Sequence, residues 1–103
     1  MLSRGMDSHA ALAQLRTLDP ELRQFGVASL YLFGSLARGE ASGESDVDLF
    51  FERQPGRRLS LLDVIGIRHF LEDRLHFQVD LILRESLHPL IRGDIEAEAV
   101  AVF

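Results

Sequence analysis

Two aspartates separated by a single residue, Asp46 and Asp48, are the side chains of this sequence best suited to chemistry. The apolar run after Asp46 predicts a β-strand, in which alternate side chains share a face, so the two carboxylates should lie side by side. Two negative charges at such a short distance raise each other's pKa unless a cation neutralises them. Because paired carboxylate oxygens suit a hard divalent ion, the pattern predicts a magnesium site.

A Gly34-Ser35 pair provides a second candidate for chemistry, because it directly follows the apolar run Leu30 to Phe33. Glycine lets the backbone turn sharply and approach a ligand, and Ser35 would begin a short helix whose free N–H groups attract anions. We therefore expect a phosphate-binding turn that faces the two aspartates. Alone, each feature is weak, since Gly-Ser is commonly an ordinary turn and Asp-x-Asp a solvated strand face.

Two strands and a short connection must position these groups. Val27 to Phe33 is apolar on both faces, which indicates a strand buried on both sides. A short helix over Leu36 to Glu40, ended by Gly39, and a polar loop then lead to a second strand over Val47 to Glu52. In that strand one face would serve the core and the other the chemistry, with Phe50 beside the two aspartates.

A third carboxylate, Asp80, stands within the apolar run Gln78 to Leu83, which predicts a third strand. An aspartate in such surroundings is costly unless it is paired, hydrogen-bonded or bound to a metal. This cost makes Asp80 a candidate third site residue. The alternative is an aspartate on an edge strand that faces water.

The remaining segments read mostly as helices. The first predicted helix starts at Asp7, is interrupted at Asp19-Pro20 and ends at Gly26. Two more helices are predicted over Leu61 to Leu75, capped by Ser60, and over Glu85 to Glu98, with Pro89 in the first turn. The apolar end at Ala99 to Phe103 is expected to add an edge strand or to dock on a partner. This order predicts an α+β fold. We expect a small mixed β-sheet with helices packed mainly on one face and the site on an edge of the sheet near Gly34.

The predicted helix over Leu61 to Leu75 has an unusually wide apolar surface. Leu61 belongs to the stripe that recurs every three or four residues, whereas Leu62, Ile65 and Phe70 fall outside it. A surface that wide either packs against a second element of this chain or contacts another protein, and the small size of the domain favours the second outcome.

Composition limits the class of protein. The 103 residues predict one domain over residues 1–103, of which Met1 to Met6 should be disordered. A net charge of −5 argues against nucleic-acid binding through a broad basic face, and the lack of cysteine excludes disulfides and cysteine zinc sites. No apolar run approaches the length needed to span a membrane, so the cytoplasm is the expected location.

Taken together, Gly34-Ser35, ten intervening residues and Asp46-x-Asp48 resemble the signature of the nucleotidyltransferase superfamily that includes DNA polymerase beta. Ala37-Arg38-Gly39-Glu40 and Ser45-Asp46-x-Asp48-Leu49 are most similar to the minimal nucleotidyltransferase (MNT) domain. The resemblance implies transfer of a nucleoside monophosphate from a nucleoside triphosphate to a hydroxyl, with release of pyrophosphate.

The resemblance also implies roles for the candidate residues. Asp46, Asp48 and Asp80 would hold two magnesium ions, and Asp80 could also accept the proton of the attacking hydroxyl. The Gly34 N–H and Ser35 would hold the β- and γ-phosphates of the triphosphate. Arg38 would either lie near the triphosphate or pair with a nearby glutamate, Glu40 or Glu44.

MNT domains of this size are typically encoded beside HEPN proteins, so the resemblance implies an antitoxin that attaches AMP from ATP to a tyrosine of a partner HEPN ribonuclease toxin. Two alternatives remain open. The protein could neutralise its partner by masking alone, or it could modify a small molecule such as an aminoglycoside. No sequence is left for a separate acceptor domain, which favours a protein acceptor over the small molecule.

Overall fold

The computed structural model describes residues 7–39 and 46–103. Its helices are α1 (Ser8–Thr17), α2 (Asp19–Gln24), α3 (Gly34–Ala37), α4 (Leu61–Leu75) and α5 (Pro89–Glu98), with a 3-10 turn at Arg84–Ser86, and its strands are β1 (Val27–Phe33), β2 (Val47–Arg53), β3 (Val79–Leu83) and β4 (Val100–Ala101). No helix in this part of the chain is long and apolar enough to cross a membrane. The segment expected to be disordered, Met1 to Met6, and the predicted loop at 40–45 lie outside the described residues.

The four strands form one mixed sheet in the order β3-β2-β1-β4. Strand β1 pairs antiparallel with both β2 and β4, whereas β2 and β3 are parallel and are joined through α4. The topology confirms the expected small mixed sheet. It also shows that the chain end adds an edge strand, one of the two outcomes expected for Ala99 to Phe103.

One face of the sheet carries the main hydrophobic core. Helices α1, α2 and α4 cover it and contribute buried residues such as Leu15, Leu22 and Ile67. The strand residues that face these helices are Leu30, Leu32, Val47, Leu49, Phe51, Val79 and Leu81. Most of the helical packing is therefore on one face, as predicted.

The second face of the sheet is aromatic and partly covered by α5. Phe50 is only 1% exposed, with its ring centroid 4.8 Å from that of Tyr31 and 5.7 Å from that of Phe33. Arg84 lies over the Tyr31 ring at 5.8 Å and pairs with Glu96 of α5 at 2.7 Å. This ion pair attaches α5 to the face of the sheet that also carries Asp48.

The predicted helix over Glu85 to Glu98 is wrong at its start. The chain forms the short 3-10 turn, then runs extended through His88, where φ is −62° and ψ is 131°, and α5 begins only at Pro89. The cause is Pro89, because a proline disfavours helical backbone in the residue before it. His88 then caps the new helix, since its Nδ1 accepts a hydrogen bond from the Leu90 N–H at 3.1 Å.

The wide apolar surface expected on α4 is narrower in the structure. Phe70 packs against Phe25 with ring centroids 5.1 Å apart, and Ile65 is half-buried. Leu61, expected in the buried stripe, is 75% exposed and Leu62 is 78% exposed. The exposed large apolar side chains of this helix are therefore concentrated in its first turn.

Candidate active site

Strand register brings two of the predicted site residues together. Asp48 on β2 is the direct neighbour of Asp80 on β3, and Phe33 at the end of β1 pairs with Asp48 on its other side. Asp46 comes immediately before β2 and is exposed, while Asp48 is half-buried. The site therefore lies across adjoining strands β1, β2 and β3, and only Asp80 is on a strand at the edge of the sheet.

The burial argument made for Asp80 is wrong, because its side chain is exposed. Strand β3 is an edge strand, so this carboxylate reaches solvent although its neighbours along the chain are apolar. The register that places Asp80 beside Asp48 is a better reason to include it in the site.

Electrostatics single out Asp48 among the three aspartates. Burial is the largest cause that raises the pKa of its carboxyl above the ordinary value, and the negative charges of Asp80 and Asp46 raise it further. The Arg38 guanidinium opposes this shift in the pKa without cancelling it. The site thus holds more negative charge than its own cations neutralise.

Gly34 supports the carboxylate of Asp48 directly. It is the first residue of α3, and its φ of +79° lies in the left-handed region that favours glycine. A Cβ at this position would overlap Asp48 Oδ2 and lie 3.0 Å from Asp48 Cγ. Ser35 follows in the same turn and is half-buried. The expected strand, tight turn and short helix are present, although α3 already begins at Gly34 and not at the predicted Leu36, and the close approach is to the aspartate itself.

A fourth acidic residue, Glu98 at the end of α5, was not found from the sequence. Its Oε2 accepts a hydrogen bond from the Gly34 N–H at 3.0 Å, and both of its carboxylate oxygens lie 3.1 Å from Arg38 Nη1. Arg38 therefore has an acidic partner 60 residues away along the chain. The glutamates considered from the sequence, Glu40 and Glu44, lie outside the described residues.

One local signal could have identified Glu98. Helix α5 has no basic residue in its last turn and carries Glu96 and Glu98 there, although carboxylates near a helix C-terminus interact unfavourably with the helix dipole. Such an arrangement indicates partners elsewhere in the fold. Those partners, Arg84 for Glu96 and Arg38 for Glu98, come from distant positions that spacing does not predict.

Comparison with known proteins identifies the family. The family model described as the nucleotidyltransferase domain matches residues 15–102. The chain belongs to this family. This nucleotidyltransferase is 42% identical over 85 residues to protein adenylyltransferase MntA of Thermococcus cleftensis, a match that covers 80% of the chain and 82% of its relative.

Solved structures agree with this assignment. A structure described as a candidate minimal nucleotidyltransferase has a TM-score of 0.78 and 33% identity, and the match covers 92% of this chain and 95% of the other. The complex of a tri-AMPylated Shewanella oneidensis HEPN toxin with an MNT antitoxin contains a chain with a TM-score of 0.64 and 19% identity, where the match covers 87% and 71% of the two chains. The first match confirms the resemblance to minimal nucleotidyltransferases, and the second shows a shared fold.

The aspartates of this nucleotidyltransferase suit a divalent cation by their chemistry. Asp46, Asp48 and Asp80 supply hard oxygen ligands, and the raised pKa of Asp48 indicates negative charge that a cation would neutralise. Within residues 7–39 and 46–103, however, no three acidic or histidine side chains are already arranged as a metal site. Metal binding therefore requires the carboxylates of Asp46, Asp48 and Asp80 to come closer together than they are in this structure.

Proposed function

We propose that this nucleotidyltransferase transfers AMP from ATP to a tyrosine hydroxyl of a HEPN ribonuclease toxin and so acts as its antitoxin. The observation that carries the proposal is the contact of the Gly34 turn with Asp48, whose strand neighbour is Asp80. Two relatives support the choice of AMP and partner: one is named a protein adenylyltransferase, and the other structure holds an AMPylated HEPN toxin with an MNT antitoxin.

Each residue of the site has a role in this proposal. Asp46, Asp48 and Asp80 would hold two magnesium ions, which when bound neutralise the triphosphate and lower the pKa of the attacking hydroxyl. The Gly34 N–H and Ser35 would hold the β- and γ-phosphates, and Arg38 would add positive charge beside them. The protein thus contributes position and charge, without a covalent enzyme intermediate.

The transfer exchanges one bond for another at the α-phosphorus of ATP. The tyrosine oxygen forms a bond to this phosphorus, the bond to the oxygen that bridges to the β-phosphate breaks, and pyrophosphate leaves. The exposed carboxylate of Asp80 would accept the hydroxyl proton. Its position on the outermost strand of the sheet suits an acceptor that belongs to another protein, because the side chain can be approached from solvent.

A transfer assay tests the proposal. The protein is incubated with magnesium, ATP labelled at the α-phosphate and the HEPN toxin, and the toxin is analysed for labelled tyrosine. We expect the double variant Asp46→Asn, Asp48→Asn to lose transfer by about 100-fold or more, since metal ligands matter at least as much as their outer-shell supports. Asp73→Asn is the control, because it removes an exposed carboxylate from α4, the helix that covers the core face of the sheet and not the face that carries Asp48.

The other outcomes distinguish the alternatives. Inhibition of the toxin without any labelled tyrosine would contradict the transferase proposal and favour masking. Label on an aminoglycoside without toxin would favour a small-molecule acceptor.

A cytoplasmic location stays a prediction, which fractionation of cells that express the protein would test.

A further inference from the structure

Glu98 contacts the same groups that the proposed function assigns to the nucleotide phosphates. Its carboxylate accepts from the Gly34 N–H at 3.0 Å and pairs with Arg38 at 3.1 Å. A carboxylate and a phosphate oxygen are both anionic acceptors, and both favour backbone N–H groups and guanidinium ions. One backbone N–H cannot serve both groups fully, so nucleotide and Glu98 compete for it.

The Glu98 backbone is anchored on both sides. Two residues after it, β4 pairs with β1 through Val100 opposite Leu32 and Ala101 opposite Tyr31. On the side toward the start of α5, Glu96 binds Arg84 at 2.7 Å. The contact with the Gly34 turn is thus built into the fold, whereas the half-buried side chain of Glu98 itself can rotate away without any change in the backbone.

Charge strengthens the competition. Glu98 is a fourth carboxylate close to a site that already holds Asp46, Asp48 and Asp80, and its charge acts directly on Asp48. A triphosphate that enters the site meets this additional negative charge as well as a donor that is already engaged. Both effects act in the same direction, against nucleotide binding.

We propose that Glu98 is an internal competitor for the triphosphate: it occupies the phosphate-binding donors in the nucleotide-free protein and must leave them when a nucleotide binds. The proposal rests on the proposed function, because it takes Gly34 and Arg38 to be phosphate-binding groups. It assigns to Glu98 an autoinhibitory contact that sets the affinity for the triphosphate. The competition concerns phosphate groups and is independent of the nucleotide base.

Calorimetric binding of an ATP analogue with a methylene bridge between its α- and β-phosphates, which cannot donate AMP, tests this role in the presence of magnesium. We expect Glu98→Gln to bind about 3- to 10-fold more tightly than the natural protein, which is the range for loss of one partly exposed charge interaction. The same gain is expected for inorganic tripolyphosphate, which lacks the base. Asp94→Asn is the matched control, since it removes an exposed carboxylate from the same helix and should leave both affinities unchanged.

A second variant covers the case in which Glu98→Gln folds poorly. Glu98→Asp keeps the charge but is one methylene shorter, so it withdraws from the Gly34 N–H and should tighten binding by a smaller factor. Equal or weaker binding of the methylene-bridged ATP analogue by folded Glu98 variants, with measurable binding by the natural protein, would overturn the inference. Failure of the natural protein and every variant to bind either triphosphate would instead overturn the proposed function itself.

Discussion

At the scale of single residues, the site depends on how closely Gly34 approaches Asp48. The glycine combines a left-handed φ of +79° with a position where a Cβ would overlap a carboxylate oxygen of Asp48. A turn that favours glycine thus holds the Gly34 backbone close to the Asp48 carboxylate.

Gly34→Ala should therefore lose activity and stability together. The left-handed backbone costs an alanine about 1–2 kcal/mol, and the methyl group must displace the Asp48 carboxylate. We expect a free energy of unfolding lower by about 1–3 kcal/mol in urea titrations and a transfer rate reduced by at least about 10-fold. Gly93→Ala on α5 is the control, because among the described residues no neighbouring atom lies within 4 Å of where its Cβ would stand, and the helix favours alanine. An active, equally stable Gly34→Ala protein would contradict this account.

At the scale of elements, α4 is the connection that places Asp80 beside Asp48. It joins the parallel strands β2 and β3, and its buried residues Ile67, Leu71 and Leu75 pack on the core face. The helix begins at a capping box in which the Ser60 side chain accepts from the Asp63 N–H and Asp63 accepts from the Ser60 N–H. The Ser60 N–H and the Ser60 hydroxyl both donate to the Asp63 carboxylate, and these two hydrogen bonds hold the pKa of Asp63 below its usual range.

Ser60→Ala should destabilise the protein without altering the chemistry. Loss of an N-cap side chain typically lowers the free energy of unfolding by about 1 kcal/mol. We expect this loss in thermal or urea unfolding, with transfer by the remaining folded protein unchanged. The backbone N–H of residue 60, which is the largest cause of the lowered pKa of Asp63, remains in the variant, and only the hydrogen bond from the hydroxyl to the carboxylate is lost. That part of the difference is present above the usual aspartate range and is lost as the pH falls through the lowered pKa. Equal stability of Ser60→Ala and the natural protein at neutral pH would contradict the capping box as a source of stability.

At the scale of the whole molecule, stability and function oppose each other at the acidic site. Asp48 has a raised pKa in the folded protein, so its contribution to stability is present below the ordinary aspartate pKa and is lost as the pH rises through the raised one. At neutral pH the ionised site therefore weakens the fold, and bound cation and nucleotide would restore stability.

Asp48→Asn should separate these two properties. At pH 7 we expect the variant to be more stable than the natural protein by a few tenths to about 1 kcal/mol, because solvent screens a half-exposed charge, while transfer is lost. The gain should vanish near pH 3, where the carboxyl of the natural protein is protonated. Urea titrations at both pH values measure this. An Asp48→Asn protein that is less stable at pH 7 would show that its carboxylate contributes hydrogen bonds that outweigh the repulsion.

The sequence by itself determined the local chemistry and most of the elements. Gly34-Ser35 after an apolar run, the Asp46-x-Asp48 pair, the Ser60 cap and the break at Pro20 all act within a few residues, and the structure confirms the elements they predicted. The short helix α3 begins earlier than the predicted Leu36, and α5 begins later than the predicted Glu85 because a proline restricts the residue before it.

Only the tertiary structure decided which distant groups meet. The exposure of Asp80 follows from the place of β3 at the sheet edge, and the contact of Glu98 with Gly34 and Arg38 spans 60 or more residues. Hydrophobic periodicity specifies which face of an element is buried, but strand order and register arise from the packing of all elements together. A single carboxylate carries no periodic signal, so its partner becomes visible only once the sheet and α5 are assembled.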